Sequence, residues 1–153
     1  MKVYFLRHGV ADWPDWTGPD SERPLTKDGR KEVKRVAQAL VERGVSTDVI
    51  LSSPLPRAQQ TAEIAGAELN TAVTVDPALS PGFSAESLRA LLHAHDGKDV
   101  MFVGHEPDFS TLVEALTGGA VVMAKAGVAR VDLEDAAQPR GELRWLVTPK
   151  LMR

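Results

Sequence analysis

Two stretches of this chain run from an apolar block straight into a histidine beside a glycine. They are Val3-Tyr4-Phe5-Leu6-Arg7-His8-Gly9 and Val100-Met101-Phe102-Val103-Gly104-His105. Apolar runs without alternation suit strands covered on both faces, and strands of that kind belong to largely parallel sheets flanked by helices. A parallel pair needs a crossover connection, so most of the chain between the two stretches must serve to join strands. The charged residues at the ends of these runs would then sit at one edge of a sheet.

The intervening sequence supplies the crossovers. Val33, Val36, Ala37, Leu40 and Val41 recur at helical spacing after Thr26, a natural N-cap, and Gly44 closes the segment. Asp48 to Ser52 reads as a second buried strand, and Pro54 to Pro56 open a helix whose face is Ala58, Ala62, Ala65 and Leu69, with Arg57 in its first turn. Val73-Thr74-Val75 is a third strand, and Ala85, Leu88, Leu91 and Leu92 mark the next helix. His93 and His95 end that helix, where its dipole favours them, and are read as surface residues. Beyond His105, Phe109, Leu112, Val113 and Leu116 make another amphipathic helix. The tail reads as strands from Gly127 to Leu133 and from Glu142 to Thr148, joined by a turn-rich Glu134 to Gly141. The expected fold is an α/β/α three-layer sandwich, mostly parallel, with late strands antiparallel at an edge, and residues 1–153 as a single domain.

Val10 to Pro24 does not fit this alternation. It contains Trp13-Pro14-Asp15-Trp16-Thr17-Gly18-Pro19-Asp20 and reads as a long loop. Its tryptophans either form a lid over a site or pin the loop to the core. With 43% hydrophobic and 25% charged residues the chain is that of a soluble globular protein, and no apolar run approaches the roughly 20 residues of a membrane span. The short apolar start before Arg7 is no signal-peptide core, so a cytoplasmic protein is expected. Without cysteine there is no disulfide, thiol nucleophile or thiolate metal site, and a net charge of −3 argues against nucleic acid or an anionic membrane as partner.

Ligands of open α/β sheets bind outside the carboxyl ends of the strands, which is where Arg7, His8, Arg57 and His105 fall. Two arginines and two histidines gathered there, with helices starting nearby, suit a tetrahedral dianion such as phosphate. A histidine pair holding a metal is the rival reading, but no carboxylate or thiolate cluster stands at ligand spacing.

Leu6-Arg7-His8-Gly9, Ser53-x-x-x-Arg57-Ala58-x-x-Thr61 and Val103-Gly104-His105, in that order, resemble the histidine phosphatase superfamily, whose fold is phosphoglycerate mutase-like. Arg23-Pro24-Leu25-Thr26-x-x-Gly29 and the short chain narrow the resemblance to phosphohistidine phosphatases of the SixA type. It implies that His8 attacks phosphorus and becomes phosphorylated, that Arg7 and Arg57 neutralise the phosphoryl oxygens, and that His105 adds a hydrogen bond or positive charge. Neither metal nor cofactor is implied. Arg23 is an auxiliary phosphate contact or an anchor of the loop, and Gly9 lets a ligand approach the backbone.

One departure bears on the substrate. Esterases and mutases of the superfamily commonly carry a glutamate proton donor after the third strand, where this chain has Leu79-Ser80-Pro81-Gly82. An alkoxide leaving group, with a conjugate acid of pKa about 15.7, needs such an acid. Imidazole, at about 6.5, does not, and the gap of about nine units bounds its advantage at about 12 kcal/mol. The site therefore suits a phosphorylated histidine on a partner protein. Asp12, Asp15 and Glu106 remain candidate donors after loop movement, Asp12 and Glu106 against capping or solvated roles. The rival functions are a small-molecule phosphatase of the same mechanism and a non-catalytic phosphate-binding module.

Overall fold

The computed structural model describes residues 1–137 and 139–152. In chain order it contains β1 (Lys2–Arg7), α1 (Lys27–Glu42), β2 (Val49–Ser52), α2 (Pro56–Leu69), β3 (Val73–Val75), α3 (Ala85–Ala94), β4 (Val100–Gly104), α4 (Asp108–Thr117), β5 (Val128–Leu133) and β6 (Gly141–Val147). The six strands form one sheet ordered β3-β2-β4-β1-β5-β6. The first four neighbours in that order run parallel, and β5 and β6 are antiparallel additions at the β1 side. This is the mixed α/β arrangement expected, with two antiparallel strands at the edge. Of the expected turn from Glu134 to Gly141, Gln138 lies outside the described residues.

Alternation of side chains along β1 divides the core in two. Val3 and Phe5 point into one cluster with Leu88, Leu92, Phe109, Leu112 and Val113, so α3 and α4 cover that face. Tyr4 and Leu6 point into the other, with Val33, Val36, Leu40, Ala58, Ala62 and Ala65 of α1 and α2. Three alanines of α2 are fully buried, and their small side chains let the helix lie close on the sheet. Phe5 stacks on Phe102 at 5.6 Å and meets Phe109 edge-on at 5.2 Å, which ties β1, β4 and α4 together next to the charged strand ends.

Register then brings the two histidines together. β1 and β4 pair with Arg7 opposite Gly104, and the ladder continues one step, with the His8 amide donating to the Gly104 carbonyl at 3.0 Å. On the other side of β4, Ser52 stands opposite Val103, and the Ser53 amide donates to the Val103 carbonyl at 3.0 Å. Residues from opposite ends of the sequence thus share one corner of the sheet. Among the described residues, no helix is long and apolar enough to cross a membrane.

Candidate active site

His8, Arg57 and His105 are all buried where β1, β2 and β4 end. The imidazoles of His8 and His105 lie 5.4 Å apart, centre to centre. Each ring is held by one nitrogen. His8 Nδ1 lies 2.8 Å from the Gly9 carbonyl, which can only accept, so this nitrogen carries the proton and Nε2 keeps its lone pair. His105 Nε2 lies 2.8 Å from Ser53 Oγ. That hydroxyl's other hydrogen bond is an acceptance from the Leu55 amide at 3.2 Å, so donating to His105 Nε2 is what satisfies its own proton, and the matching tautomer carries the ring's proton on Nδ1.

Both rings are held neutral at pH 7. Burial is the main cause for each, pushing each pKa down to about 4. The nearby Arg57 and Arg7 add to the lowering at both histidines. For His8, the hydrogen bond to Gly9 opposes the shift and His105 adds to it. A neutral imidazole with a free Nε2 is the form a nucleophile requires.

The arginines are anchored by their outer nitrogens. Arg7 Nη1 donates to the Met123 carbonyl at 2.9 Å, and Arg57 Nη1 donates to the Asp20 carbonyl at 2.9 Å. Their Nε atoms are buried and find no partner among the described residues, and His105 Nδ1 is in the same condition. A buried donor left unpaired costs about 1–3 kcal/mol, so three of them around one pair of histidines mark a place built for an acceptor-rich guest. Positive charge and unpaired donors together suit an oxyanion.

Not every expected site residue meets this centre. The Gly9 amide, expected at a ligand, donates instead to Thr61 Oγ1 at 3.1 Å, and a Cβ there would lie 2.6 Å from Val33 Cγ2. Glycine at this position is thus needed for packing on α1. Arg23 donates to the Ala11 carbonyl, donates through Nη2 and Nε to Asp20 Oδ1 at 2.8 and 3.1 Å, and lies 3.5 Å from Asp12. These bonds tie its guanidinium to the loop, within electrostatic reach of Arg57. Asp12 pairs with Lys125, whose hydrogen bond holds the carboxyl below the usual carboxylate range. Glu106 accepts from the Ser110 amide at 2.7 Å and from the Ser110 hydroxyl, a cap on α4. Trp13 and Trp16 donate to the Pro24 and Pro19 carbonyls at 2.8 and 3.0 Å, so the indoles brace their own loop with their faces partly exposed.

Ser53, Thr61 and Asp20 carry weight that their sequence positions did not reveal. Thr61 Oγ1 donates to the Arg57 carbonyl at 2.7 Å while accepting from Gly9, which joins the first turn of α2 to the strand end bearing His8. Ser53 and Thr61 stand inside the conspicuous Ser53-x-x-x-Arg57-Ala58-x-x-Thr61 pattern, and this was the only signal pointing to them. Among the described residues no group of three or more His, Cys, Asp or Glu side chains could hold a metal ion.

Comparison with known proteins identifies the family. The family model of the histidine phosphatase superfamily (branch 1) matches residues 3–80. The chain belongs to the histidine phosphatase superfamily. It is 31% identical to the phosphohistidine phosphatase SixA of Escherichia coli K12 over 97% of this chain and 94% of that protein. An uncharacterized protein of Picosynechococcus sp. PCC 7002 is 38% identical over 98% of both chains. Among solved structures, the protein histidine phosphatase SixA complexed with tungstate superposes with a TM-score of 0.87 at 30% identity, covering 100% of each chain. As a member of this superfamily with SixA among its relatives, the protein is a phosphatase.

Proposed function

We propose that this phosphatase removes the phosphoryl group from a phosphorylated histidine on a partner protein, such as a phosphotransfer domain, through a covalent intermediate on His8. The reading takes residues 1–153 as one catalytic domain in the cytoplasm. His8 Nε2 attacks phosphorus while Arg7, Arg57 and the Nδ1–H of His105 take up charge on the phosphoryl oxygens. Water then cleaves the phosphoenzyme. Donors placed where charge develops are the principal aid to phosphoryl transfer, and no step calls for a metal.

The observation that carries the substrate class is the state of the carboxylates around the pocket. Asp12 is kept ionised by Lys125, Asp20 is kept ionised by Arg23, and both oxygens of Glu106 are occupied by Ser110. The segment after β3 contributes a buried Leu79 and an amide, that of Gly82, which donates to Asp108 at 2.9 Å. None of these groups is set up to hand a proton to an alkoxide. A leaving imidazole needs no such gift, which agrees with the name borne by the SixA relatives.

A substrate comparison tests the assignment. Purified protein is expected to dephosphorylate a histidine-phosphorylated phosphotransfer domain far faster than it hydrolyses sugar phosphates or phosphoserine. The opposite ranking would overturn the assignment and require a proton donor that these carboxylates do not provide.

A further inference from the structure

Asp20 stands between two arginines at the mouth of the site. Its carbonyl oxygen receives Arg57 Nη1 at 2.9 Å, and its Oδ1 receives Arg23 Nη2 and Nε at 2.8 and 3.1 Å. The second carboxylate oxygen, Oδ2, has only a long contact of 3.5 Å to Arg57 Nη2, and the side chain is 71% exposed. Arg23 chiefly, with Arg57 and His8 adding, holds the group below the ordinary carboxylate range. Asp20 is therefore an anchored, ionised acceptor within electrostatic reach of His8, with one oxygen engaged only by the long contact to Arg57. Asp12, the other ionised carboxylate nearby, is committed to Lys125.

We propose that Asp20 selects for phosphohistidine by accepting a hydrogen bond from the leaving imidazole, through the ring nitrogen that does not carry phosphorus. The inference rests on the phosphohistidine reading above. Of the two ring nitrogens in phosphohistidine, one bears the phosphoryl group and the other can bear a proton. When His8 Nε2 bonds to phosphorus and the P–N bond breaks, the electron pair of that bond moves to the leaving nitrogen. A ring already protonated on its other nitrogen departs as neutral imidazole, so no further proton is needed. An ionised carboxylate at that N–H favours the protonated ring. Asp20 would thus accomplish by accepting a hydrogen bond what a glutamic acid accomplishes for esters by donating a proton. A sugar or serine ester has no N–H at the equivalent place.

Asp20→Asn keeps the shape and the bond to Arg23 while removing the charge. The experiment measures wild type and this variant on a histidine-phosphorylated phosphotransfer domain and on p-nitrophenyl phosphate, together with affinity for inorganic phosphate. The expected result is a loss of at least about tenfold in the ratio of phosphohistidine to p-nitrophenyl phosphate turnover, in line with the size of proton-management effects. The pH at which phosphohistidine turnover falls off should also move down. Phosphate affinity should be retained or tightened, because a negative charge beside Arg57 has been removed. Equal losses on both substrates, or weakened phosphate binding that accounts for the loss, would reduce Asp20 to a support for Arg57 and overturn the proposal. So would an unchanged ratio. If wild type itself fails on phosphohistidine while hydrolysing p-nitrophenyl phosphate, the substrate assignment fails and this inference goes with it.

Discussion

At the scale of single residues, the site depends on two imidazoles that stay neutral because they are buried beside arginines. This has a consequence for stability. Between pH 4 and 6.5 the unfolded chain protonates these histidines and the folded one does not, so the unfolded state binds more protons and stability rises with pH across that window. The contribution is fully present above about pH 6.5 and is lost as the pH falls toward about 4. Urea titrations should show a loss on the order of a few kcal/mol over that range, because a tenfold change in proton affinity is worth about 1.36 kcal/mol. His8→Gln/His105→Gln should flatten this part of the profile, and an unchanged slope in the double variant would show that other groups govern it. The four principal residues were legible because strand-ending charge is visible in sequence: apolar runs stop at Arg7 and at Gly104, and Arg57 follows a strand and a proline-marked helix start. Ser53 and Thr61 acquire their roles only by hydrogen bonds spanning 52 residues, to His105 and Gly9, and no local periodicity announces such a bond. Gly9 illustrates the converse, since a glycine beside a site reads as room for ligand, and its close packing against Val33 is not announced.

At the scale of elements, the start of α1 fixes the loop that carries Asp12, Asp20 and Arg23. Thr26 caps the helix by accepting from the Gly29 amide at 2.9 Å, and its own amide donates to the Val10 carbonyl at 2.9 Å. Helix and loop approach so closely that a Cβ on Gly29 would come 2.1 Å from the Val10 carbonyl oxygen. Backbone cannot yield as a side-chain tip can. Gly29→Ala should therefore destabilise the protein by roughly 3 kcal/mol, as overpacking does, read as a lowered urea midpoint with the slope unchanged. A loss below about 0.5 kcal/mol, the range of ordinary surface changes, would mean that loop and helix separate without cost. The existence of α1 was plain from its apolar spacing and its Thr26 cap. The course of the preceding loop was not, because it is set by bonds from Arg23 and the two indoles to scattered carbonyls.

At the scale of the molecule, the parallel sheet is what makes a site from distant residues. Strands β1, β2 and β4 run the same way, so their carboxyl ends share one edge, and the pairing of Arg7 with Gly104 sets His8 next to His105. Layer order and strand direction followed from apolar runs alternating with amphipathic helices. The register did not, because periodicity gives the faces of a strand without giving its neighbour. Two antiparallel strands extend the β1 side, and the Ala126 amide donates to the His8 carbonyl at 3.0 Å, so the tail of the chain also supports the strand end that carries His8. The most direct test of this assembly is to trap what it makes. The protein is mixed with a phosphotransfer domain carrying radiolabelled phosphohistidine, quenched within milliseconds to seconds under alkaline conditions, and the label on the enzyme is mapped. The account predicts an acid-labile, alkali-stable phosphoryl group on His8 that decays as phosphate is released, with label and turnover both absent in His8→Ala. Sustained turnover by His8→Ala, or label on another residue, would contradict it.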